Sequence, residues 1–343
     1  MSVLGNAAIY RTDVRQFQRR VDIQVHDIII RNLDMTFNIT KTLTKDPNKC
    51  EIKIYNLNED HRHQLAMQKS GVIAQISAGY ERPGSNEENR DPLGPLWEGD
   101  NYWKYMTGLT DNIEEFGVIF LGDLSEVFSG YSQPDWITVI STNDGEQATR
   151  YDRYNVAVKG KGSLSQSLKK MLGNSSLNPG NALKQVYEMA KEGKYEEAYD
   201  KFNDSFISTG SLTKEIRNAF KNVGYGMSIQ GNTIQVLKPG ETIGDFSVRL
   251  ASDTGLIGTP IISNETITVQ NKNDKKGEKK KKVKKKMIKC VALLNHRIIP
   301  GRGITIISDV FVEGECNARV ERVDYVGSTF GEDWYCKIEA SVL

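Results

Sequence analysis

Histidines, cysteines, paired acids and glycine-flanked lysines are the residues of this chain that could do chemistry, and their spacing decides which chemistry is open to them. The sequence holds four histidines. His61 and His63 stand two apart in a stretch that reads as helix, where only residues three or four apart share a face, so their rings diverge from any common metal ion. His26 and His296 have no partner legible in the sequence. Cys50, Cys290, Cys316 and Cys336 form no CxxC pair, which excludes a zinc knuckle and a redox motif. Each falls in a β-prone run, where a free cysteine acts as a small buried hydrophobe, although counting alone leaves disulfides open. Lys159-Gly160-Lys161-Gly162-Ser163 has the residue types of a phosphate loop. Its order is Lys-Gly-Ser, however, and the earlier glycine is absent. Gly301-Arg302-Gly303 lacks the third glycine of a dinucleotide fingerprint, and neither GxSxG nor HExxH occurs. Glu114-Glu115 and Glu196-Glu197 are adjacent, as on a solvated surface, not set across a cleft as an acid–base pair. These patterns predict no enzyme, no cofactor and no metal site.

One feature does carry chemistry of a physical kind. Residues 272–289 contain eleven lysines and two acids; taking these from the chain's 45 basic and 44 acidic residues leaves 34 basic and 42 acidic, a balance of minus 8 behind a formal net charge of +1. An acidic body does not suit general binding of nucleic acid, which depends on neutralising phosphates with Lys and Arg. It suits a surface past which nucleic acid slides without sticking. The tract itself concentrates Lys279, Lys280, Lys281, Lys282, Lys284, Lys285 and Lys286, interrupted by Val283. These seven are candidate partner contacts, through a solvated loop that reaches an acidic neighbour or as a module for nucleic acid or a membrane surface.

The elements that must position such a tract can be read from hydrophobic period. At 343 residues the chain is long enough for two or three domains. Its N-terminus has no apolar stretch behind the basic residues, and no apolar run is long enough to span a bilayer. A soluble product made in a cytoplasm, without membrane insertion, is expected. Val21, Ile23 and Val25 alternate, as do Met35, Phe37 and Ile39, then Cys50, Ile52 and Ile54 beyond an Asp46-Pro47-Asn48 turn, and Val72, Ala74, Ile76 and Ala78. Asn58 reads as the N-cap of a short helix reaching Met67. Residues 81–115 lose periodicity and gather prolines, glycines and Trp97, Tyr102, Trp103 and Tyr105. So aromatic a loop is expected to be covered by its own domain or by a partner. Residues 118–128 and 132–140 return to strand, closed by Asn143-Asp144-Gly145.

Amphipathic stripes follow. Leu164, Leu168, Met171 and Leu172 make the first, Leu183, Val186, Tyr187 and Ala190 the second, Tyr195, Ala198, Tyr199 and Phe202 the third, and Leu212, Ile216, Ala219 and Phe220 the fourth. The run 226–237 is a hairpin around Gly231-Asn232. Thr254, Gly255, Gly258 and Pro260 present Leu256-Ile257 on a turn before another extended run. Met287 to Leu294, and then Ile304 to Ile307 after Pro300-Gly301, read as strands. Asp135-Trp136 leading to Ile140 and Asp333-Trp334 leading to Ile338 set an isoleucine four residues after each tryptophan, the trace of an internal repeat.

The segments TGLIGTP at 254–260, LLN and PG at 293–301, PNKCEIKIYNL at 47–57, and GD followed by DW and DG between 122 and 145 together resemble phage tail baseplate hub proteins. The resemblance runs from about Ile23 to the C-terminus and weakens in the middle. It implies a mainly β fold with a helical insertion (α+β). Two tube-type β-barrel domains, 1–155 with a long loop at 81–115 and 246–343 with a lysine-rich loop at 271–286, would flank a helical and hairpin middle region, 156–245. It further implies a homotrimer whose six barrel positions join a sixfold tail tube protein to a threefold central spike protein among other baseplate proteins. DNA would pass through the channel without sequence-specific binding, and the location would be the virion tail after assembly in the host cytoplasm. A tail tube or distal tail protein of the same machine is the alternative.

Overall fold

A computed structural model describes residues 18–81, 105–106, 116–159, 164–191, 205–222, 224–270 and 280–343. The fold is mainly β with a small helical part. The chain begins with β1 (Arg19–Val25), β2 (Ile28–Ile30), β3 (Met35–Thr42) and β4 (Lys49–Tyr55), then α1 (Glu59–Ala66), β5 (Ile73–Tyr80), β6 (Phe116–Ser132) and β7 (Asp135–Asn143). Alternation dictates which face goes inward: Met35, Phe37 and Ile39 are buried from β3, and Cys50, Ile52 and Ile54 from β4. Asn58 caps α1, its side-chain oxygen accepting from the His61 backbone N–H at 2.7 Å. The strands run β3-β4-β7-β6-β5-β1-β2. Arg19 on β1 donates to the Ser328 carbonyl at 2.9 Å, and Tyr80 on β5 meets the Trp334 ring edge-on at 6.2 Å. The far end of the sheet therefore curls back to the strands beside β3.

The middle of the chain holds α2 (Glu146–Tyr151), β8 (Arg153–Lys159), α3 (Leu164–Gly173), α4 (Ala182–Lys191), β9 (Ser205–Ser211), α5 (Leu212–Asn222) and the hairpin of β10 (Gly226–Gln230) with β11 (Thr233–Leu237). Leu168, Met171 and Leu172 from α3 and Leu212, Ile216, Ala219 and Phe220 from α5 pack with Val186, Ile234 and Val236 into a core of their own. On α4, Leu183 and Tyr187 are exposed, and Ala182, Gln185 and Val186 face inward instead. The expected stripe is thus rotated by about one residue. The third expected helix, with Tyr195, Ala198, Tyr199 and Phe202, lies outside the described residues. The Gly231-Asn232 turn has φ of +59° and +55°, the left-handed pair that a two-residue hairpin of this twist requires.

The last part comprises β12 (Ile243–Leu250), β13 (Leu256–Gln270), β14 (Lys280–Leu293), β15 (Arg302–Ile307), β16 (Glu315–Ser328) and β17 (Trp334–Val342). Their order is β13-β14-β17-β16, with β15 and then β12 beyond the N-terminal half of β16. This repeats β3-β4-β7-β6-β5-β1 strand for strand, with β12 parallel to its neighbour where β1 is antiparallel. The match extends to irregularities. In the β6–β7 ladder a bulge falls opposite Ser141 and Thr142, five and six residues after Trp136. In the β16–β17 ladder it falls opposite Glu339 and Ala340, five and six residues after Trp334. The Gly71 N–H donates to Leu124 and the Gly301 N–H to Val320, each at 2.8 Å, and the two glycines share φ of +93° and +92°.

The two units join through the C-terminal half of β16, which pairs antiparallel with β3 from Arg322 opposite Thr42 to Ser328 opposite Thr36. One hydrophobic core includes residues from both, Val21 to Ala340. Trp334 is buried, whereas Trp136 is 40% exposed beneath the Arg62 guanidinium, 4.3 Å from its ring centroid. The paired tryptophans thus occupy equivalent ladder positions with opposite environments.

Candidate assembly surfaces

A buried polar junction fastens the middle hairpin to the first unit. Asp144, following β7, accepts from the Gly231 N–H at 2.7 Å, the Asn232 N–H at 2.7 Å and Asn48 Nδ2 at 2.9 Å. Asn48 Nδ2 also donates to the Ile229 carbonyl and to Gln230 Oε1, and Gln230 Nε2 donates to the Thr42 carbonyl at 2.8 Å. Asp123 accepts from Asn232 Nδ2 and from the Gln147 N–H. Burial pushes the Asp144 carboxyl above the usual range, against its donors and Lys41. Lys41, 1% exposed, is pushed down to about 8, by burial first and by Arg302, while Asp144 acts in the opposite sense. Parity explains its position. Lys41 continues the inward row of Met35, Phe37 and Ile39 on β3, so this spacing could have identified it.

The structure places the part of the expected 271–286 loop that it describes, Lys280 to Lys286, in a strand, β14. Residues 271–279, including Lys279, lie outside the described ones. Lys280, Lys281, Lys282 and Lys284 stand opposite Gln270, Val269, Thr268 and Thr266, and Lys285 and Lys286 opposite Glu265 and Asn264. The ladder satisfies backbone donors and acceptors that a loop would leave to water, against a β-branched run, Thr266 to Val269, suited to strand. Charge alone therefore misled the expectation. Lys285 Nζ reaches Glu321 Oε1 at 2.8 Å. Glu321 also accepts from Arg319 and from the Ser341 hydroxyl, so although burial acts to raise its carboxyl, Arg319 and these donors hold it below the usual range. Glu321 is the bulged residue of the β16–β17 ladder, where β14 leaves the core. Nothing in the sequence marked it.

The remaining candidates for chemistry are held apart. His61 and His63 sit on α1, and His296 is buried under Tyr105, ring centroids 6.2 Å apart, its imidazole pushed down to about 3 by burial and by Arg297 and Arg302. It is neutral at physiological pH. The four cysteines are free thiols. Burial pushes Cys50 up, and pushes Cys290 and Cys336 up to about 12. Among the described residues no three His, Cys, Asp or Glu side chains gather in a metal-binding cluster, and no helix is long and apolar enough to cross a membrane. From the 81–115 stretch, Tyr105 and Met106 pack against Val118, Leu121, Ile243 and Ile299 of the same chain. Trp97, Tyr102 and Trp103 lie outside the described residues.

Strand order, bulges and the shared core make up a fold that is also found in solved phage tail proteins. The tail protein from Neisseria meningitidis MC58 superposes with a TM-score of 0.53 at 10% identity, over 95% of this chain and 97% of that one. The 43 kDa tail protein of prophage MuSo2 from Shewanella oneidensis gives 0.53 at 8% identity, over 94% and 98%. The Escherichia coli c3393 protein, a type VI secretion component described as similar in structure to T4 bacteriophage tail proteins gp27 and gp5, gives 0.50 at 9%, over 94% and 76%. No family model matches the sequence, and no curated protein sequence matches it significantly. The likeness is one of fold.

Proposed function

We propose that this protein is the structural hub of a phage tail baseplate or a related injection device, working as a shaped and charged ring without catalysis. The observation that carries this reading is the duplication: one chain holds two units with one strand order and equivalently placed bulges, fused through β3 and β16. Three chains then offer six equivalent positions. A homotrimer of that form matches a sixfold tail tube protein on one side and a threefold central spike protein on the other, as a closed ring. Residues 1–155 and 246–343 would be the two barrel domains and 156–245 a middle region on the ring's outside, meeting other baseplate proteins. The acidic balance of minus 8 outside the lysine tract suits a wall that repels DNA passing through the channel. Lys279, Lys280, Lys281, Lys282, Lys284, Lys285 and Lys286 would contact an acidic face of a neighbour. Such a protein is assembled in the host cytoplasm and resides in the virion tail. Native mass spectrometry tests this: a species of three 38.5 kDa chains is expected, and a hexamer or a monomer at working concentration contradicts it.

A further inference from the structure

The row of β14 that fills the core changes chemistry where the core ends. Ile288, Cys290 and Ala292 are buried at alternate positions, and the pairing of β14 with β17 ends at Met287 opposite Ser341. Beyond that point 264–270 and 280–286 continue as a two-stranded ladder with no shift of register, a ribbon about 20 Å long at roughly 3.4 Å per residue. The strand period carries the core row on through Lys286, Lys284, Lys282 and Lys280. Residues directly opposite in an antiparallel pair share a face, and these lysines stand opposite Asn264, Thr266, Thr268 and Gln270 in turn. Four cations on this face therefore meet amides and hydroxyls, and the ladder sets no carboxylate among them. The alternate row differs. There Lys289 pairs with Glu339 and Lys285 with Glu321, Glu265 stands opposite Lys285, and Ile267 stands opposite Val283.

We propose that the first face binds the phosphate backbone of duplex DNA, without sequence specificity. Lysines two apart on a strand repeat about every 6.8 Å, which matches two phosphate steps of about 3.4 Å along one strand of the duplex. The amide and hydroxyl residues set against them are the types that join lysine in hydrogen-bonding to phosphate oxygens. A two-stranded ribbon also fits the major groove, about 12 Å wide. An acidic protein surface would require none of these regularities. The balance of minus 8 outside the lysine tract repels phosphate elsewhere and confines the contact to the ribbon. The inference rests on the reading that the lysines meet an acidic neighbour, and it identifies that neighbour as the DNA itself.

Fluorescence anisotropy of the full-length protein with a short labelled duplex of mixed sequence tests this. Four phosphate contacts give a log–log salt slope of about −3.6, so affinity should fall roughly 100-fold between about 50 and 200 mM salt. Changing Lys280, Lys282, Lys284 and Lys286 together to glutamine should flatten that slope and weaken binding at low salt by roughly 100-fold or more. Arginine at the same four positions keeps the charge and should bind as the native protein does. Glutamine at Lys49, Lys53, Lys169 and Lys170, exposed lysines outside the ribbon, should change neither affinity nor slope. Equal losses from the two glutamine variants, loss of binding in the arginine variant, or a native slope near zero overturns the proposal. Polyglutamate bound more tightly than the duplex, with loss only in the ribbon variants, overturns the DNA contact and leaves the acidic neighbour a protein. Binding of neither probe by a native trimer overturns both readings of the lysines and leaves the hub standing.

Discussion

Replacing Trp334 with alanine tests whether the end of the curled first sheet is truly closed onto the second unit. The indole is 3% exposed and meets Phe37 edge-on at 5.7 Å, Tyr80 at 6.2 Å and the Arg19 guanidinium at 5.4 Å, so strands β3, β5 and β1 all rest on it. Truncating a buried aromatic costs roughly 3–5 kcal/mol through lost burial and the cavity left behind. At about 2 °C per kcal/mol for a chain of this size, the melting temperature should fall by roughly 6–10 °C. Trp334→Phe keeps a ring and gives up an indole N–H that has no acceptor, so it should cost only about 1 kcal/mol. Trp136→Ala, at the equivalent ladder position but 40% exposed, should cost about 1 kcal/mol through the lost Arg62 contact. Differential scanning calorimetry reads all three. Equal losses from Trp334→Ala and Trp136→Ala would refute the assignment of Trp334 to the closing contact.

Asp144→Ala strands the buried Gly231 and Asn232 N–H groups and Asn48 Nδ2, and should cost roughly 2–4 kcal/mol in chemical denaturation. Lys41 is held near 8 when folded against 10.5 otherwise, so the unfolded state binds more protons in that interval. The stability of the native protein relative to Lys41→Met should therefore rise between pH 8 and 10.5, as measured by melting temperature. Glu321, held below its usual range, works the other way. Glu321→Gln should be less stable by about 1–2 kcal/mol above the ordinary carboxylate range, and the difference should vanish as acid protonates the native carboxylate. Changing Lys280, Lys281, Lys282 and Lys284 to glutamine keeps the β14 ladder and should leave melting within about 0.5 kcal/mol of native. It should weaken attachment to a partner, more at low salt than at high, in a pull-down series.

Much of the fold was legible because its strands alternate. Met35-Phe37-Ile39, Cys50-Ile52-Ile54 and the Trp-to-Ile spacing before Ile140 and Ile338 state which face goes inward, and Asn58 and Gly231-Asn232 state where chain direction changes. What the sequence hid was register. The bulges at Ser125 and Glu321 leave no compositional trace, and only the ladders align the two units. Periodicity also predicts a face without its neighbours: Trp136 lies on the inward face yet at a hairpin end beyond the core, and Leu183 and Tyr187 stay exposed on α4. In the lysine tract, charge outweighed any β signal, so a strand that pairs from Lys280 to Leu293 read as loop. Asp144 and Lys41 are ordinary loop and surface residue types, and their burial comes from tertiary contacts between elements nearly a hundred residues apart.

The duplication also explains where the two long insertions fall. The β13–β14 arm is the extended counterpart of the short β3–β4 connection, and residues 82–115 occupy the connection equivalent to the short 308–314 segment between β15 and β16. Each unit is therefore elaborated at a different place on a common scaffold.

Single-particle imaging of the assembled protein is the most direct test. A closed ring with a central channel, threefold symmetry and six barrel positions around it, alternately contributed by the two units of three chains, is the expected result. A ring with true sixfold symmetry and one chain per position, or a particle without a channel, would contradict the hub reading.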